Sequence, residues 1–283
     1  LSTKFYAVQV LQDLVRFHLK DENPTALVDA DLKRLKHMRE ISISPNKEEF
    51  YLEGLKSLEN NTLTHASYAM ASYEIANFHS QLGNKYHPIN SPDSQWEKKK
   101  AIELCEATIA RYPNSSGAKN CQVLKASILS KSLQFTLENT NIPQQDFRAL
   151  VSYKNISKVY AKIALVTPND EKALEKMNKT AERLNYLNKL KVLNSWTVEL
   201  PNQEDYQSHN IELKIPAQTY GKYVVMMATN DRFSMKKEAV AFQYTVVTAL
   251  SVLKNQHKGT TDFFATHRET GEPLANVKFE IYA

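Results

Sequence analysis

Residues 148–166 read RALVSYKNISKVYAKIALV, and this run settles that the chain is not all-helical. Val151, Tyr153 and Ile156, followed by Val159, Ala161, Ile163 and Leu165, recur at a spacing close to two, the side-chain period of a pleated strand. Two strands or one long bent strand are expected here. A preceding strand is expected through Leu133, Phe135 and Leu137, ahead of the Asn139-Thr140-Asn141-Ile142-Pro143 turn.

Upstream of Ser130 the period is that of a helix. From Thr3 to Lys20, Phe5, Tyr6, Val10, Leu11, Leu14 and Phe17 fall on one face, which needs a partner. Pro24, a good first-turn residue, opens a second helix with Leu27, Val28, Leu32, Leu35 and Met38, so the two are expected to form a hairpin. A helix over Lys47 to Leu58 follows. Thr62 or Thr64 is placed to cap another that runs through Tyr68, Ala69, Tyr73, Ala76 and Phe78 to Leu82, and Gly83 to Ser94 reads as a loop.

Ala101, Ile102, Cys105 and Ile109 then keep helical register. After Pro113-Asn114-Ser115 the period restarts at Ala118, Cys121, Leu124 and Ile128. A tight antiparallel hairpin over 95–129 is expected. Its order of helix, Tyr-Pro-Asn-Ser and Ala resembles one tetratricopeptide unit, although no array of such units is legible.

Downstream of the opening run, the Lys-, Glu- and Leu-rich stretch near 170–193 reads as a helical insertion. Strands are expected around Trp196 to Leu200, Ile211 to Ile215, Lys222 to Thr229 and Phe242 to Val247, the last continued by Leu250 to Leu253. Phe263, Ala265, the turn Arg268 to Pro273, and Val277, Phe279 and Ile281 read as a further hairpin. The fold class is therefore α+β and multidomain: helices over 1–129, an antiparallel β-sandwich over 130–249, and the first strands of a following sandwich over 250–283.

Composition agrees with a folded chain. At 283 residues, 42% hydrophobic and 24% charged, with ten prolines and six glycines, it is neither disordered nor low-complexity. Thirty-six basic against thirty-one acidic residues leave +5, an excess too small to select a partner. The start LSTKFYAVQV lacks the order of a signal peptide and the end VKFEIYA stops in an expected strand, so the chain is expected to be cut from a longer one.

No phosphate loop, dinucleotide fingerprint, His-Glu-x-x-His, EF-hand or serine elbow is present, and neither a cofactor nor a catalytic residue is expected. His79 and His87 with Asp93 are one conceivable metal set, but a full set of four ligands is not indicated. His267, Glu269 and Glu272 surround a turn whose polarity needs no functional reason. Lys98-Lys99-Lys100 and Lys236-Lys237 are short runs that read as solvated faces, and the tyrosines fall on core positions, so no nucleic-acid partner is expected. Cys105 lies eight residues before Pro113 and Cys121 eight after it, each about 12 Å from the turn at 1.5 Å per residue. A disulfide and a pair of small buried core residues are both compatible with that spacing.

Four stretches carry a family resemblance: AIELCEATIARYPNSSGAKNCQVLKASI, LVSYKNISKVYAKI, SWTVELPNQEDYQSHNIELKIPAQTYGKYVVMMA and FFATHRETGEPLANVKFEIY. Together, over about Trp96 to Ala283, they resemble the N-terminal region of Bacteroidetes-type bacterial alpha-2-macroglobulin proteins. The resemblance implies a secreted or envelope-anchored protein of the periplasm or cell surface. It also implies macroglobulin-type β-sandwiches, proteases or envelope proteins as partners, and membrane attachment only through an anchor that this chain lacks. Arg268, Thr270, Gly271 and Pro273 match the hairpin turn that opens such a sandwich, with His267 where the family more often has Asp. The family's Cys-Gly-x-Gln thioester has no counterpart, because Cys105 precedes Glu106 and Cys121 precedes Gln122. An oxidising compartment favours a structural Cys105–Cys121 bridge. The function so implied is a non-catalytic scaffold or interaction part of a protease inhibitor. A peptide-binding helical module and a hydrolase with dispersed catalytic residues are the competing readings.

Overall fold

The computed structural model describes residues 3–236 and 238–280. It divides into two compact units, one formed by residues up to Ser130 together with Gln203–Gln207, the other by Lys131–Asn202 and the residues from Ser208 on.

The first unit contains α1 (Thr3–His18), α2 (Thr25–Ile41), α3 (Lys47–Asn61), α4 (Tyr68–Gly83), α5 (Glu97–Arg111) and α6 (Ser116–Leu129). Its centre is α4, whose Ala69, Ala71, Ile75, Ala76 and Phe78 are buried. Ala71, Ile75 and Phe78 join Val28, Leu32, Leu35, Tyr51, Leu55 and Leu58 of α2 and α3 in one core. Ala76 turns instead toward α5 and α6, where it meets Cys105 and Cys121. Small residues let these helices approach closely: a Cβ at Gly117 would lie 2.1 Å from the Ala69 carbonyl oxygen.

Two expectations fail here. The face of α1 is not covered, since none of its residues is buried and Val10 and Phe17 are 66% and 73% exposed. Its contact is with α2, and a single neighbouring helix shields only a narrow strip. Nor does Thr62 cap α4. It closes α3, donating its hydroxyl to the Leu58 carbonyl at 2.9 Å, and α4 begins only at Tyr68. A Thr hydroxyl serves either end, because it can accept from an N–H or bond back to a carbonyl four residues earlier.

The second unit contains β1 (Ser132–Leu137), β2 (Thr140–Asn141), β3 (Phe147–Lys154), β4 (Lys158–Leu165), α7 (Pro168–Glu175), α8 (Thr180–Leu187), β5 (Val192–Glu199), β6 (His209–Ile215), β7 (Gly221–Ala228), β8 (Val240–Val247), β9 (Leu250–His257) and β10 (Thr260–His267). The opening run is thus two strands, hinged at Asn155, whose φ of 56° is a left-handed value that Asn tolerates. Strands β1-β3-β6 form an antiparallel sheet, and β2-β8-β7-β4-β5 a second sheet in which only β2 runs parallel to its neighbour.

The inner faces share one core. Phe147, Ala149, Val151 and Tyr153 of β3 face Val159, Ala161 and Ile163 of β4 and Tyr223, Val225 and Met227 of β7. The other face of β7, Val224, Met226 and Ala228, packs with Leu174 of α7 and with Leu184 and Leu187 of α8. This double cover explains the unbroken apolar run YVVMMA, since alternation survives only where one face meets water. The insertion is two short helices. The first opens with a capping box in which Thr167 and Asp170 satisfy each other's backbone N–H.

Past Thr248 the expectations need correcting. β9 does not extend β8 but forms its own two-stranded sheet with β10, through the Lys258-Gly259 turn. Val277 and Phe279 lie outside any strand, and Ile281 lies outside the described residues. A register that pairs Leu250 with His267 and Ser251 with Thr266 leaves the Arg268–Pro273 turn to return across β10 only by the single bridge Thr266–Pro273.

Candidate functional site

Each unit has, among its described residues, a concavity large enough to hold a ligand. In the helical unit, a cavity of about 460 Å³ opens where the starts of α2, α4 and α6 come together. Val28, Leu32 and Met70 make its floor, and Thr25, His65 and Asn114 belong to its polar rim. Ser115 builds one wall: its hydroxyl accepts from the Ala118 N–H at 3.1 Å and donates to the Tyr112 carbonyl at 2.7 Å, which fixes the turn into α6. His65 Nδ1 accepts from the Ser67 N–H at 3.1 Å, so in the neutral ring the proton sits on Nε2.

In the β unit, a slot of about 500 Å³ runs between β1 and β8. β1 is the edge of its sheet, and β8 pairs with β2 only through Val246 and Val247. Leu133, Phe135, Val240 and Phe242 line the slot together with Ser152 and Asn210. The arrangement offers strand edges and apolar surface rather than converging acids and bases.

The residues singled out in the sequence are dispersed. His79 does not join His87 and Asp93; its Nδ1 meets Glu97 at 2.5 Å, while His87 Nδ1 accepts from the Ile89 and Asn90 N–H groups. Among the described residues no three His, Cys, Asp or Glu side chains are placed to share a metal ion. Burial raises the Glu97 carboxyl, but hydrogen bonds from Lys100 and His79 outweigh it and hold the group below its ordinary range. Lys100 thereby belongs to that pair, and Lys99 lies over the Trp96 ring. Lys237 lies outside the described residues. In the 268–273 turn, Gly271 takes a left-handed φ of 72°, and Arg268 donates to the Thr140 carbonyl at 3.2 Å. Cys105 and Cys121 do meet: both are free thiols, fully buried in one cluster.

Two features escaped the sequence reading. Residues 203–207, polar and lying between two expected strands, are a strap belonging to the helical unit. Asp205 and Gln207 are buried there, Gln95 donates to Asp205 at 3.0 Å, and Gln207 donates back to the Gln95 carbonyl at 3.0 Å. Left-handed φ values at Glu204 and Tyr206 shape it. The other is Lys162, buried in β4 beneath Phe233, with its Nζ 4.1 Å from the ring centroid and 2.8 Å from Asn188 Oδ1. Its place in the otherwise apolar run VYAKIAL was the available signal.

No protein family matches the chain, and no curated protein matches it. Among solved structures, two fragments of native alpha-2-macroglobulin from Escherichia coli are similar to it. The fragment spanning domains MG0-NIE-MG1 is 15% identical over 51% of this chain and 48% of its own length, with a TM-score of 0.35. The NIE-MG1 fragment is 14% identical over 52% and 74%, with a TM-score of 0.34. A CARDB domain from Pyrococcus furiosus is 11% identical over 42% of this chain and 90% of its own, at 0.22. This chain thus spans about half the length of the first of them. Scores of this size define no shared fold, and the architecture rests on the helices and strands described above.

Proposed function

We propose that this chain is a non-catalytic scaffold and interaction region of a macroglobulin-like protease inhibitor of the bacterial envelope, working in the periplasm or at the cell surface. The observation that carries the reading is the serial β architecture. A sandwich of three strands against five closes around its own core, and a separate sheet, β9–β10, follows after two residues. The Bacteroidetes-type sequence resemblance supports the same reading, with the turn at Arg268, Thr270, Gly271 and Pro273 marking the opening of the next sandwich. The α5–α6 hairpin is then a tetratricopeptide-like element of the region that precedes it. In this role the chain's partners are proteases, met through the whole inhibitor, or neighbouring envelope proteins.

The test is protease capture by the intact gene product and by a version lacking the helical and sandwich residues 3–249. Capture that survives the deletion fits a scaffold. Capture lost while the remainder stays folded gives this region the contact itself, and an intact product that captures no protease of any class overturns the inhibitor reading.

One observation favours a second reading, in which the helical unit holds a peptide. The cavity over Val28, Leu32 and Met70 combines an apolar floor with polar walls, the usual composition of a ligand pocket. Met70→Trp fills it, so a partner retained by the native chain and lost from that variant with unchanged helicity supports this reading.

A further inference from the structure

Cys105 on α5 and Cys121 on α6 are the pair of reactive groups that no part of the proposed function uses. Both are fully buried, and they touch across the hairpin in a cluster with Ala76, bordered by Tyr73, Leu104, Ile109 and Leu124. Hydrogen bonding to Cys121, and then burial, push the Cys105 thiol up, so Cys105 is the member that keeps its proton. The contact with Cys105, with buried Thr108 one turn further along α5, holds the Cys121 thiol below its ordinary value despite burial. Two thiols in mutual contact add chemistry that packing does not require.

We propose that Cys105 and Cys121 are the halves of an internal staple, a disulfide that ties α5 to α6 and is sealed from solvent once α4 packs over it. The inference rests on the geometry of the pair and not on the macroglobulin reading. The oxidant is a disulfide, either of a small thiol compound or of a thiol–disulfide exchange protein. One cysteine thiolate attacks a sulfur of that disulfide, breaking its S–S bond, forming a mixed disulfide and releasing one thiolate. The second cysteine, losing its proton, attacks the mixed disulfide at the cysteine sulfur and expels the other thiolate. The protein loses two protons and two electrons, and the oxidant becomes two thiols. Because neither sulfur meets solvent in the folded unit, both attacks occur while the hairpin is open, during folding or a local opening. The fifteen residues between the cysteines, 106 to 120, form the closed loop.

The test is refolding of the full chain from urea in a mixture of oxidised and reduced glutathione, in parallel with refolding in excess dithiothreitol. The expected result is a monomer lighter by two hydrogens, a non-reducing peptide map that joins the peptides carrying Cys105 and Cys121, and a melting temperature above that of the reduced form. In the folded reduced protein, an aqueous aromatic disulfide reagent is expected to titrate neither thiol until urea is added. Cys105→Ala and Cys121→Ala each remove the mass change while leaving helicity intact. Two thiols that remain fully alkylatable after oxidative refolding, or a link found only between chains, overturn the proposal. So does rapid titration of both thiols in the native protein, which removes the seal.

Discussion

β7 and β9 have eight residues each and belong to the same unit, yet their surroundings are opposite. In β7, six consecutive residues from Tyr223 to Ala228 are buried, whereas no residue of β9 is. The difference lies in cover. β7 has β3 and its neighbours over one face and α7 and α8 over the other, while among the described residues β9 has only β10 beside it. A two-stranded ribbon has little to bury against, and one alone is marginal in water. A strand's stability is therefore set less by its own residues than by what the rest of the chain lays on it. Identical substitutions in the two strand environments measure that difference directly.

The largest contrast is expected from Val→Asp. Val225 is fully buried in the inner core between Ile163 and Gln243 of the flanking strands. Val225→Asp places an unpaired carboxylate there and is expected to cost the sandwich about 4 kcal/mol. Val252, on β9, is 53% exposed, and Val252→Asp is expected to change sandwich stability by less than about 0.5 kcal/mol. Urea unfolding in a Trp96→Phe background, with Trp196 of β5 as the fluorescent reporter, checks both. Equal losses would mean that β9 is a structural part of the sandwich, and the comparison would fail.

Threonine gives the intermediate case. Thr245 of β8 is buried, accepting from Asn141 Nδ2 at 2.8 Å and donating to the Glu138 carbonyl at 2.9 Å, and these bonds tie β8 to the β1–β2 connection. Thr245→Val removes both bonds, although Asn141 keeps the Glu138 carbonyl at 3.2 Å, so a loss of about 1–2 kcal/mol is expected. Thr261→Val on exposed β10 is expected to stay within about 0.5 kcal/mol. The same urea titration reads both.

These pairs also show what the sequence carries and what it does not. Alternation located β1, β3, β4 and β6, and the unbroken YVVMMA run fits a strand covered on both faces, because such patterns are local. The standing of β9 was not legible: LSVL has the pattern of a buried strand, and what distinguishes it is that, among the described residues, no layer covers its face. The α1 face misled in the same way, since periodicity reports that a helix has an apolar stripe and not that anything covers it. The 203–207 strap was hidden for the converse reason. Its buried Asp205 and Gln207 are satisfied by Gln95, more than a hundred residues away in sequence, and no local pattern announces such a bond. The meeting of Cys105 and Cys121 was readable because both lie eight residues from the same turn, which turns a long-range contact into local arithmetic.

The smallest effect is expected at lysine, where it appears as a pH dependence. Burial lowers the affinity of Lys162 for its proton below the ordinary 10.5. Where both the folded and unfolded states are charged at this site, the folded state bears the full cost of enclosing the ammonium, offset in part by Asn188 and the Phe233 ring. As pH rises through the lowered folded value toward 10.5, the unfolded chain holds its proton more tightly than the folded one. Stability contributed by this site therefore rises with pH across that window and levels off above it. Lys162→Met removes the titration while keeping most of the volume, so native stability measured relative to this variant is expected to climb between neutral and alkaline pH. Lys254→Met on exposed β9 is expected to change stability by less than about 0.5 kcal/mol. Parallel urea titrations at neutral pH and near pH 10 separate the two. A flat Lys162→Met difference would show that the ammonium in β4 is as well solvated as one on the open ribbon, and that the helices over the sheet do not exclude water from it.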